Sequence, residues 1–341
     1  MIEQTKQLAR DIGLHALGVA PAIDEVRRLF PFAESVIVAA ISYLPPERDR
    51  AGSAPAGRVA RFARLADYHS VLRSKLAILA DSLHSHAANA KQEICVDTTP
   101  LPERKLAMLA GIAARGKNGN VFVDGCGSYT ALGEIVTNLI LPAAEGICFG
   151  TAFRPEACEG CDKCISACPT GAIIGSGVID PSRCISHLTQ MSGIIPRELR
   201  HSIGDRIHGC DTCQEVCPVN ARIQPSSPEF AIEVFPGARP PLIPLLSLSP
   251  GEFNEYVRES PIGWIGRSRI RRNAAVAAGN LKCAEAVPAL TDILQSRVPI
   301  LAIHAAWALG KIGAVDALES ALVNETDPSI IEEIRAALAN K

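Results

Sequence analysis

The chain has 341 residues, enough for two or three domains with a large apolar core. It is 48% apolar and 4% aromatic, which indicates a globular rather than a disordered protein. Its formal net charge of −2 excludes a polycation that binds nucleic acid over its whole surface, so any such contact must come from a local patch.

The sequence predicts neither a secretion signal nor a membrane span. Its first residues, Met1-Ile-Glu-Gln-Thr-Lys, contain no basic region followed by an apolar core, so we do not expect secretion. No apolar run approaches the roughly 18 residues that a membrane span needs. Twelve cysteines without an export signal favour a reducing cytoplasm.

The first 150 residues alternate between strand and helix patterns. Short apolar or β-branched runs predict strands at 35–42, 93–97 and 121–123. Apolar residues at helical spacing, with turn residues between the segments, predict helices over 1–30, over 67–86 and up to Leu109. The alternation predicts an α/β domain over residues 1–150.

Two linked cysteine runs follow. The first is Cys158-x2-Cys161-x2-Cys164-x3-Cys168-Pro169, and the second is Cys210-x2-Cys213-x3-Cys217-Pro218. The first spacing is that of bacterial two-cluster ferredoxins, in which the fourth cysteine ligates the neighbouring cluster. A single cysteine between the runs, Cys184, completes a set of eight, so we predict a ferredoxin-like domain over residues 151–225.

This crossing rule assigns the ligands of two [4Fe-4S] clusters. The first cluster is assigned Cys158, Cys161, Cys164 and Cys217. The second is assigned Cys168, Cys184, Cys210 and Cys213. Two structural zinc sites are the alternative, because C-x2-C pairs also bind zinc, but zinc has no need of the triple run followed by Cys-Pro. The remaining cysteines are expected to be small buried apolar side chains: Cys95, Cys126, Cys148 and Cys283.

Residues 226–341 are predicted to form a proline-rich linker and a helical repeat domain. The segment 273–281 matches the segment 304–312 about thirty-one residues later, and each copy runs into a second apolar helix. Helix pairs repeated at this interval are typical of a HEAT-like solenoid, which usually provides a binding surface.

Four groups of motifs resemble the epoxyqueuosine reductases, which are cobalamin-dependent iron–sulfur enzymes of tRNA modification. They are Arg61–His69; Val96–Arg104 with Ala110-Gly-Ile and Gly116-Lys-Asn118; Gly127-Ser-Tyr with Leu132–Ile135; and the cysteine-region segments Cys168–Ile173, Arg183–Thr189, His208–Gln214 and Val216–Asn220. The HEAT-like tail also fits the longer members of that family, so the resemblance covers the whole chain.

The resemblance implies reduction of epoxyqueuosine to queuosine at the wobble position of tRNA. The epoxide becomes an alkene, which takes two electrons and two protons, and the two clusters would feed electrons from an external donor to cobalamin. Asp97 would supply a proton, and we expect burial beside the corrin to raise its pKa. The alternative is a helix-capping or turn aspartate before Thr98-Thr99-Pro100.

The resemblance also implies cofactor and tRNA contacts. The expected cobalamin contacts are Ala60, Arg61, Asp97, Lys117, Ser186 and Gln190, each of which has an ordinary surface or loop role as its alternative. His69 is expected to be a structural partner rather than a metal ligand. The arginine-rich stretch from Arg258 to Arg272 is expected to bind tRNA phosphates, with a solvated helix face as the alternative. We expect a monomer.

Two other functions remain open from the sequence. One is an iron–sulfur electron-transfer protein that docks a partner through its HEAT-like tail, which would need neither Asp97 nor a corrin pocket. The other is a corrinoid reductase of another small molecule, such as a dehalogenase, for which a tail suited to tRNA would be superfluous.

Overall fold

The structure is a computed structural model that describes residues 2–45, 55–143, 147–148, 155–225, 227–230, 234, 237–296 and 298–339, with backbone alone at 147–148 and 155–156. The domain boundary expected at residues 150 and 151 therefore lies outside the described residues. So does the side chain of Cys148, which was expected to be buried.

The amino-terminal region mixes helices and strands. Its elements are α1 (Ile2–Asp11), β1 (Ala16–Pro21), α2 (Asp24–Leu29), β2 (Ser35–Ser42), β3 (Arg58–Val59), α3 (Tyr68–His86), β4 (Gln92–Cys95), α4 (Glu103–Leu109), β5 (Ala113–Arg115), β6 (Val121–Val123), β7 (Thr130–Thr137) and β8 (Ile147–Cys148). The single helix expected over residues 1–30 is wrong, because β1 lies between two short helices and pairs along its whole length with β2.

Within the described ranges, five strands form the main sheet in the order β4-β7-β2-β1-β8, and every pairing in it is antiparallel. The expected mixture of helices and strands is present, but it does not build a parallel α/β sheet. Alternate residues of β2 face two separate apolar cores, Ile37 and Ile41 on one side and Val36 and Val38 on the other. Helices therefore cover both faces, which explains why all eight residues of β2 are buried.

The cysteine region contains short elements joined by tight turns. They are α5 (Lys163–Ala167), β9 (Ile173–Gly175), β10 (Val178–Ile179), α6 (Ile185–Gln190), α7 (Arg197–Ile203), β11 (Arg206–His208) and α8 (Thr212–Glu215). β11 pairs in parallel with β3, so this region is hydrogen-bonded to the amino-terminal region. Gly209, just before Cys210, has a φ of +69°, and a Cβ there would lie 2.5 Å from the Cβ of Ala60. Only glycine fits that turn.

The carboxy-terminal region is helical and repetitive. Its elements are α9 (Leu242–Leu246), α10 (Pro250–Glu252), α11 (Arg267–Asn280), α12 (Val287–Gln295), α13 (Pro299–Ile312), α14 (Val315–Asn324) and α15 (Pro328–Ala339). A Cβ on Gly279 of α11 would lie 2.8 Å from Cα of Ala308, and one on Gly310 of α13 would lie 2.7 Å from Cβ of Ala337. The same glycine in successive repeats thus lets the next helix approach closely, which confirms the predicted HEAT-like stacking.

Buried polar side chains fix the repeats to the cysteine region. The guanidinium of Arg272, which is fully buried, donates to the carbonyl oxygens of Leu188, Met191 and Gly193 at 2.9, 3.0 and 2.7 Å. Asn273 donates to the carbonyl oxygen of Thr189 at 2.7 Å. Because these carbonyls lie around the end of α6, the repeat domain holds that helix in a defined position.

Among the described helices, none is both long and apolar enough to cross a membrane.

Candidate active site

A cavity with two adjoining lobes lies between the cysteine region and the amino-terminal sheet. The lobes measure about 440 and 250 Å³, which together fall in the usual range of ligand sites. They share part of their walls: Tyr43, Phe62, Arg104, Asn120 and Gln190 line both lobes. The cavity is therefore one continuous candidate site.

Four cysteines line the larger lobe, namely Cys168, Cys184, Cys210 and Cys213. Burial raises the pKa of Cys213, and the neighbouring Cys210 and Cys184 raise it further. At Cys168, burial also raises the pKa, but hydrogen bonds from backbone N–H groups, including that of Ala172 at 3.2 Å, lower it overall. This group is the one predicted to hold the second cluster, and Cys184, isolated in sequence, joins it in space.

The other cysteines gather outside the lobe. The pKa of Cys164 is raised by burial and by the nearby charges of Cys158 and Cys217. Lys117 forms a 2.8 Å ion pair with Asp162, and its pKa is raised by that partner and by the neighbouring thiols of Cys158 and Cys161.

Away from the two cysteine runs, the described cysteines Cys95, Cys126 and Cys283 are buried, as expected of small apolar side chains.

Asp97 lines the smaller lobe from a strained turn after β4. Its φ is +50°, and the N–H of Thr98 donates to the carbonyl oxygen of Val96 at 2.6 Å, which makes a γ-turn centred on Asp97. Such a backbone costs about 1–3 kcal/mol in a non-glycine residue and is concentrated at functional sites.

Two neighbours in the predicted Arg61–His69 motif meet the Asp97 carboxylate. The hydroxyl of Tyr68 donates to Oδ2 at 2.5 Å, and Nε2 of His69 lies 3.7 Å from the same atom. The nearby imidazole of His69 and the hydrogen bond from Tyr68 lower the pKa of Asp97. Asp67, 2.6 Å from Nδ1, and then Asp97 raise the pKa of His69 to about 9.

At neutral pH the resting site therefore carries its proton on His69, and the expectation of a raised pKa at Asp97 is not met in this arrangement. Its carboxylate is 58% exposed and hydrogen-bonded, so its charged form is favoured. The sequence analysis expected a structural role for His69 and assigned no role to Tyr68. The adjacency of these two residues in the Arg61–His69 motif was the signal that could have pointed to a shared role at the site.

A buried polar network joins the second cysteine run to the amino-terminal region. Ser128 donates to Oε1 of Gln214 at 2.8 Å, and Asn220 donates to the Ser128 hydroxyl at 2.8 Å. Gln214 also donates to Asp211 at 3.0 Å. These residues had been singled out only as motif positions, and their packing shows that they fix the cysteine run against the loop that precedes β7.

The predicted cofactor contacts divide into two groups. Ser186 and Gln190 lie on the wall of the larger lobe, where Gln190 donates to the Ser186 hydroxyl at 3.0 Å, and Asp97 lies on the smaller lobe. Ala60 is buried, and Arg61 pairs with Glu215 at 2.8 Å beneath the second cysteine run.

Ala60, Arg61 and Lys117 are not among the described residues that line either lobe. The cavity instead adds wall residues that were not among the expected cofactor contacts, including Arg104, Asn118 and Asn120.

The arginine-rich stretch is mostly engaged within the protein. Arg272 is fully buried on carbonyl oxygens, so the expectation of a phosphate contact is wrong for that residue. Arg267 and Arg271 donate to the carbonyl oxygens of Leu248 and Leu246, while Arg258 is exposed. The carbonyl partners lie far away in sequence, which is why the charge run alone suggested a solvated or RNA-binding face.

Comparison with known proteins agrees with this arrangement. The family model "4Fe-4S double cluster binding domain" matches residues 157–220, and the model "HEAT repeats" matches residues 266–339. The chain is thus a protein of the double-cluster iron–sulfur class with a HEAT-repeat tail, and the zinc alternative is set aside.

The family itself follows from more specific matches. The model "Epoxyqueuosine reductase QueG, DUF1730" matches residues 24–98. The epoxyqueuosine reductase of Bacillus subtilis is 37% identical over 329 residues, which cover 91% of this chain and 80% of that protein. The chain belongs to the epoxyqueuosine reductase family, so the alternatives of a pure electron carrier and of a corrinoid reductase of another small molecule are set aside.

Solved structures extend the similarity to the whole fold. A crystal structure of epoxyqueuosine reductase with a tRNA-Tyr epoxyqueuosine-modified tRNA stem loop has a TM-score of 0.90 and 33% identity, covering 99% of this chain and 98% of that one. The structure of the Bacillus subtilis enzyme with its aspartate catalytic loop swung out of the active site has a TM-score of 0.88 and 32% identity, with the same coverage of both chains.

Proposed function

We propose that this enzyme uses cobalamin and two [4Fe-4S] clusters to reduce epoxyqueuosine to queuosine in tRNA, with Asp97 delivering a proton to the departing epoxide oxygen. The observation that supports this most strongly is the shared cavity: the four second-cluster cysteines border one lobe, and Asp97 borders the other. Electron supply and proton supply therefore converge on one space.

The cluster ligands are proposed as the sequence assigns them. The mutual influence of Cys164 with Cys158 and Cys217 supports the first set, which also contains Cys161. The common lobe supports the second set, namely Cys168, Cys184, Cys210 and Cys213. The second set borders the cavity and the first does not, so we propose that electrons enter through the first set and reach the site through the second.

The cavity walls fit a flat cofactor with amide substituents. Its described lining combines apolar rings, such as Phe62, with the amides of Asn118, Asn120 and Gln190 and the hydroxyl of Ser186. These amides can pair with the amide side chains at the edge of a corrin. When bound, the clusters would pass single electrons and low-valent cobalamin would supply a strong nucleophile for the epoxide.

The protein's own residues would move the proton. His69 is protonated at neutral pH, and its Nε2 faces the same oxygen of Asp97 that Tyr68 holds. We propose that His69 passes its proton to Asp97 as the epoxide opens. Asp97 then donates that proton to the alkoxide oxygen of the opened epoxide. Asp97 is on the loop that we equate with the mobile aspartate loop of the Bacillus subtilis relative.

Trp264 is proposed to stack on a base of the tRNA loop. Its side chain is 61% exposed, and the Arg269 guanidinium lies 6.0 Å from its ring centroid. Arg269 also donates to the carbonyl oxygen of Gln190 at 2.7 Å, which links this exposed ring to the cavity wall. Unpaired RNA bases are commonly held on such aromatic and guanidinium planes.

Replacing Trp264 by alanine should weaken binding of an anticodon stem loop by about tenfold, because one base–aromatic stack is lost. Trp264→Phe should bind nearly as well as the wild type, and the exposed Val323→Ala provides a control on the repeat domain. Fluorescence anisotropy at fixed salt measures the affinity. Equal affinity for Trp264→Ala and the wild type would remove Trp264 from the RNA-binding face.

The cofactor proposal is tested by absorption spectroscopy on protein purified without oxygen. Added cobalamin should co-elute with the protein and give corrin bands above the broad iron–sulfur absorption. A protein with full cluster content that retains no corrin after gel filtration would contradict the proposal.

A further inference from the structure

Two carboxyl groups lie behind the turn that carries Asp97. Glu103 is the first residue of α4, and its Oε1 accepts a 2.7 Å hydrogen bond from the backbone N–H of Asp97. Glu134 lies in β7 directly opposite Cys95, the last residue of β4. Glu134 therefore lies beside the strand that leads into the Asp97 turn, and Glu103 lies at the start of the helix that follows the turn.

Glu134 is in an environment that disfavours charge. Its side chain is fully buried, and among the described residues neither of its oxygens has a hydrogen-bond partner. Burial raises its pKa well above the usual value, and the negative charges of Glu103 and Asp97 raise it further. An ionised carboxylate without a partner is costly at such a site, so Glu134 holds a proton.

Glu103 is in a different position because it lines the smaller lobe and has a donor. Burial raises its pKa to about 7, and the charge of Asp97 acts in the same direction. The hydrogen bond from the Asp97 N–H and the positive charges of Arg104 and His69 lower the pKa of Glu103 and so oppose this rise. The other titratable groups near the pair are Tyr68 and the Cys95 thiol.

The turn itself requires external support. Asp97 has a φ of +50°, and the tight hydrogen bond from Thr98 to Val96 closes a strained γ-turn. Such conformations persist only where their surroundings hold them. The Asp97 N–H is directed at Glu103, whose Oε1 accepts it at 2.7 Å and so ties the turn to the start of α4.

We propose that Glu103 and Glu134 form a positioning pair for Asp97: Glu103 holds the Asp97 turn in the site by accepting its backbone N–H, and Glu134 stays protonated, so that it adds no second charge behind the turn. This rests on the proposed role of Asp97 as the proton donor. Because burial and the charge of Asp97 raise the pKa of Glu103, the arrangement favours its neutral carboxyl, and the turn should lose order as the pH rises through about 7 and Glu103 ionises beside Asp97.

The test measures amide hydrogen exchange over residues 96–102 in the cluster-loaded protein, corrected for the intrinsic pH dependence of exchange. Glu103→Ala should exchange about tenfold faster there, because the hydrogen bond that the Asp97 N–H donates is lost. Glu103→Gln keeps the shape and the acceptor oxygen, so it should keep its protection above pH 7, where the wild type loses protection. Glu134→Gln, a neutral mimic of a protonated carboxyl, should keep the wild-type protection.

Glu93→Gln is the matched control, since it removes an exposed carboxylate from β4 and should change nothing. The proposal is overturned if Glu103→Gln retains the pH-dependent step, or if Glu134→Gln loses protection as strongly as Glu103→Ala. The exchange result does not depend on turnover: an active Asp97→Asn variant would refute the acid role and leave the exchange comparison intact. A Glu103→Ala variant should also lose kcat more than affinity for the stem loop.

Discussion

Replacing Asp97 by asparagine is expected to slow epoxyqueuosine reduction by about 10²- to 10⁴-fold, the range that a positioned proton donor contributes. The amide can still accept the hydrogen bond from Tyr68, which spans 2.5 Å in the wild type. It cannot carry the proton that His69 holds at neutral pH. Single-turnover assays with a modified stem loop would measure the rate of the chemical step.

The Asp97→Asn variant should keep its iron content, its cobalamin binding and its affinity for the stem loop, because its side chain has the same shape. Asp81→Asn is a suitable control, since it makes the same substitution at an exposed position of α3. Wild-type turnover by Asp97→Asn would remove the residue from the mechanism. Loss of cobalamin binding together with turnover would assign it to the cofactor site instead.

The second large effect is expected at Cys184, which neither cysteine run contains. Cys184→Ala should lower the iron content of the anaerobically purified protein by about half, because the second cluster would have three cysteine ligands in place of four. Turnover should fall below detection, since the cysteines that border the cavity belong to this set. Iron and acid-labile sulfide analysis gives the first result, and the stem-loop assay gives the second.

The matched control is Cys283→Ala, which removes another cysteine that is buried in the repeat domain. It should retain full iron content and turnover. Full iron content in Cys184→Ala would instead place the eighth ligand elsewhere. Because the side chain of Cys184 is only partly buried, its loss should not unfold the protein.

Features with strong local signals could be predicted from the sequence. The cysteine spacing predicted a double cluster because three thiolates must reach one cluster from a short loop. The strand Ser35–Ser42 was predicted with its observed bounds, and the repeat near Gly279 and Gly310 predicted stacked helix pairs. Each of these depends on residues close together in the chain.

Features that depend on distant partners could not be predicted. Strand β1 (Ala16–Pro21) is short and has no clear alternation, and it is a strand because it pairs with β2. The continuous apolar run of β2 is compatible with either sheet direction, because helices cover both faces. Arg272 is buried on carbonyl oxygens some eighty residues earlier, which no charge pattern shows.

The site shows the same limit. Asp97 was selected through the resemblance alone, and the strand that precedes it, β4, pairs antiparallel with β7. A γ-turn and two side chains from the start of α3, Tyr68 and His69, bring it into the cavity. The lowered pKa of Asp97 follows from those two partners, and the sequence alone does not give their distances to its carboxylate.

The most direct measurement is the mass of the wobble nucleoside after a purified stem loop carrying epoxyqueuosine is incubated with the reduced enzyme. The two-electron account predicts that the nucleoside loses the mass of one oxygen atom, and that this loss requires added cobalamin and both clusters. An unchanged mass with fully loaded, reduced enzyme would contradict it, as would an oxygen loss that proceeds equally well without cobalamin.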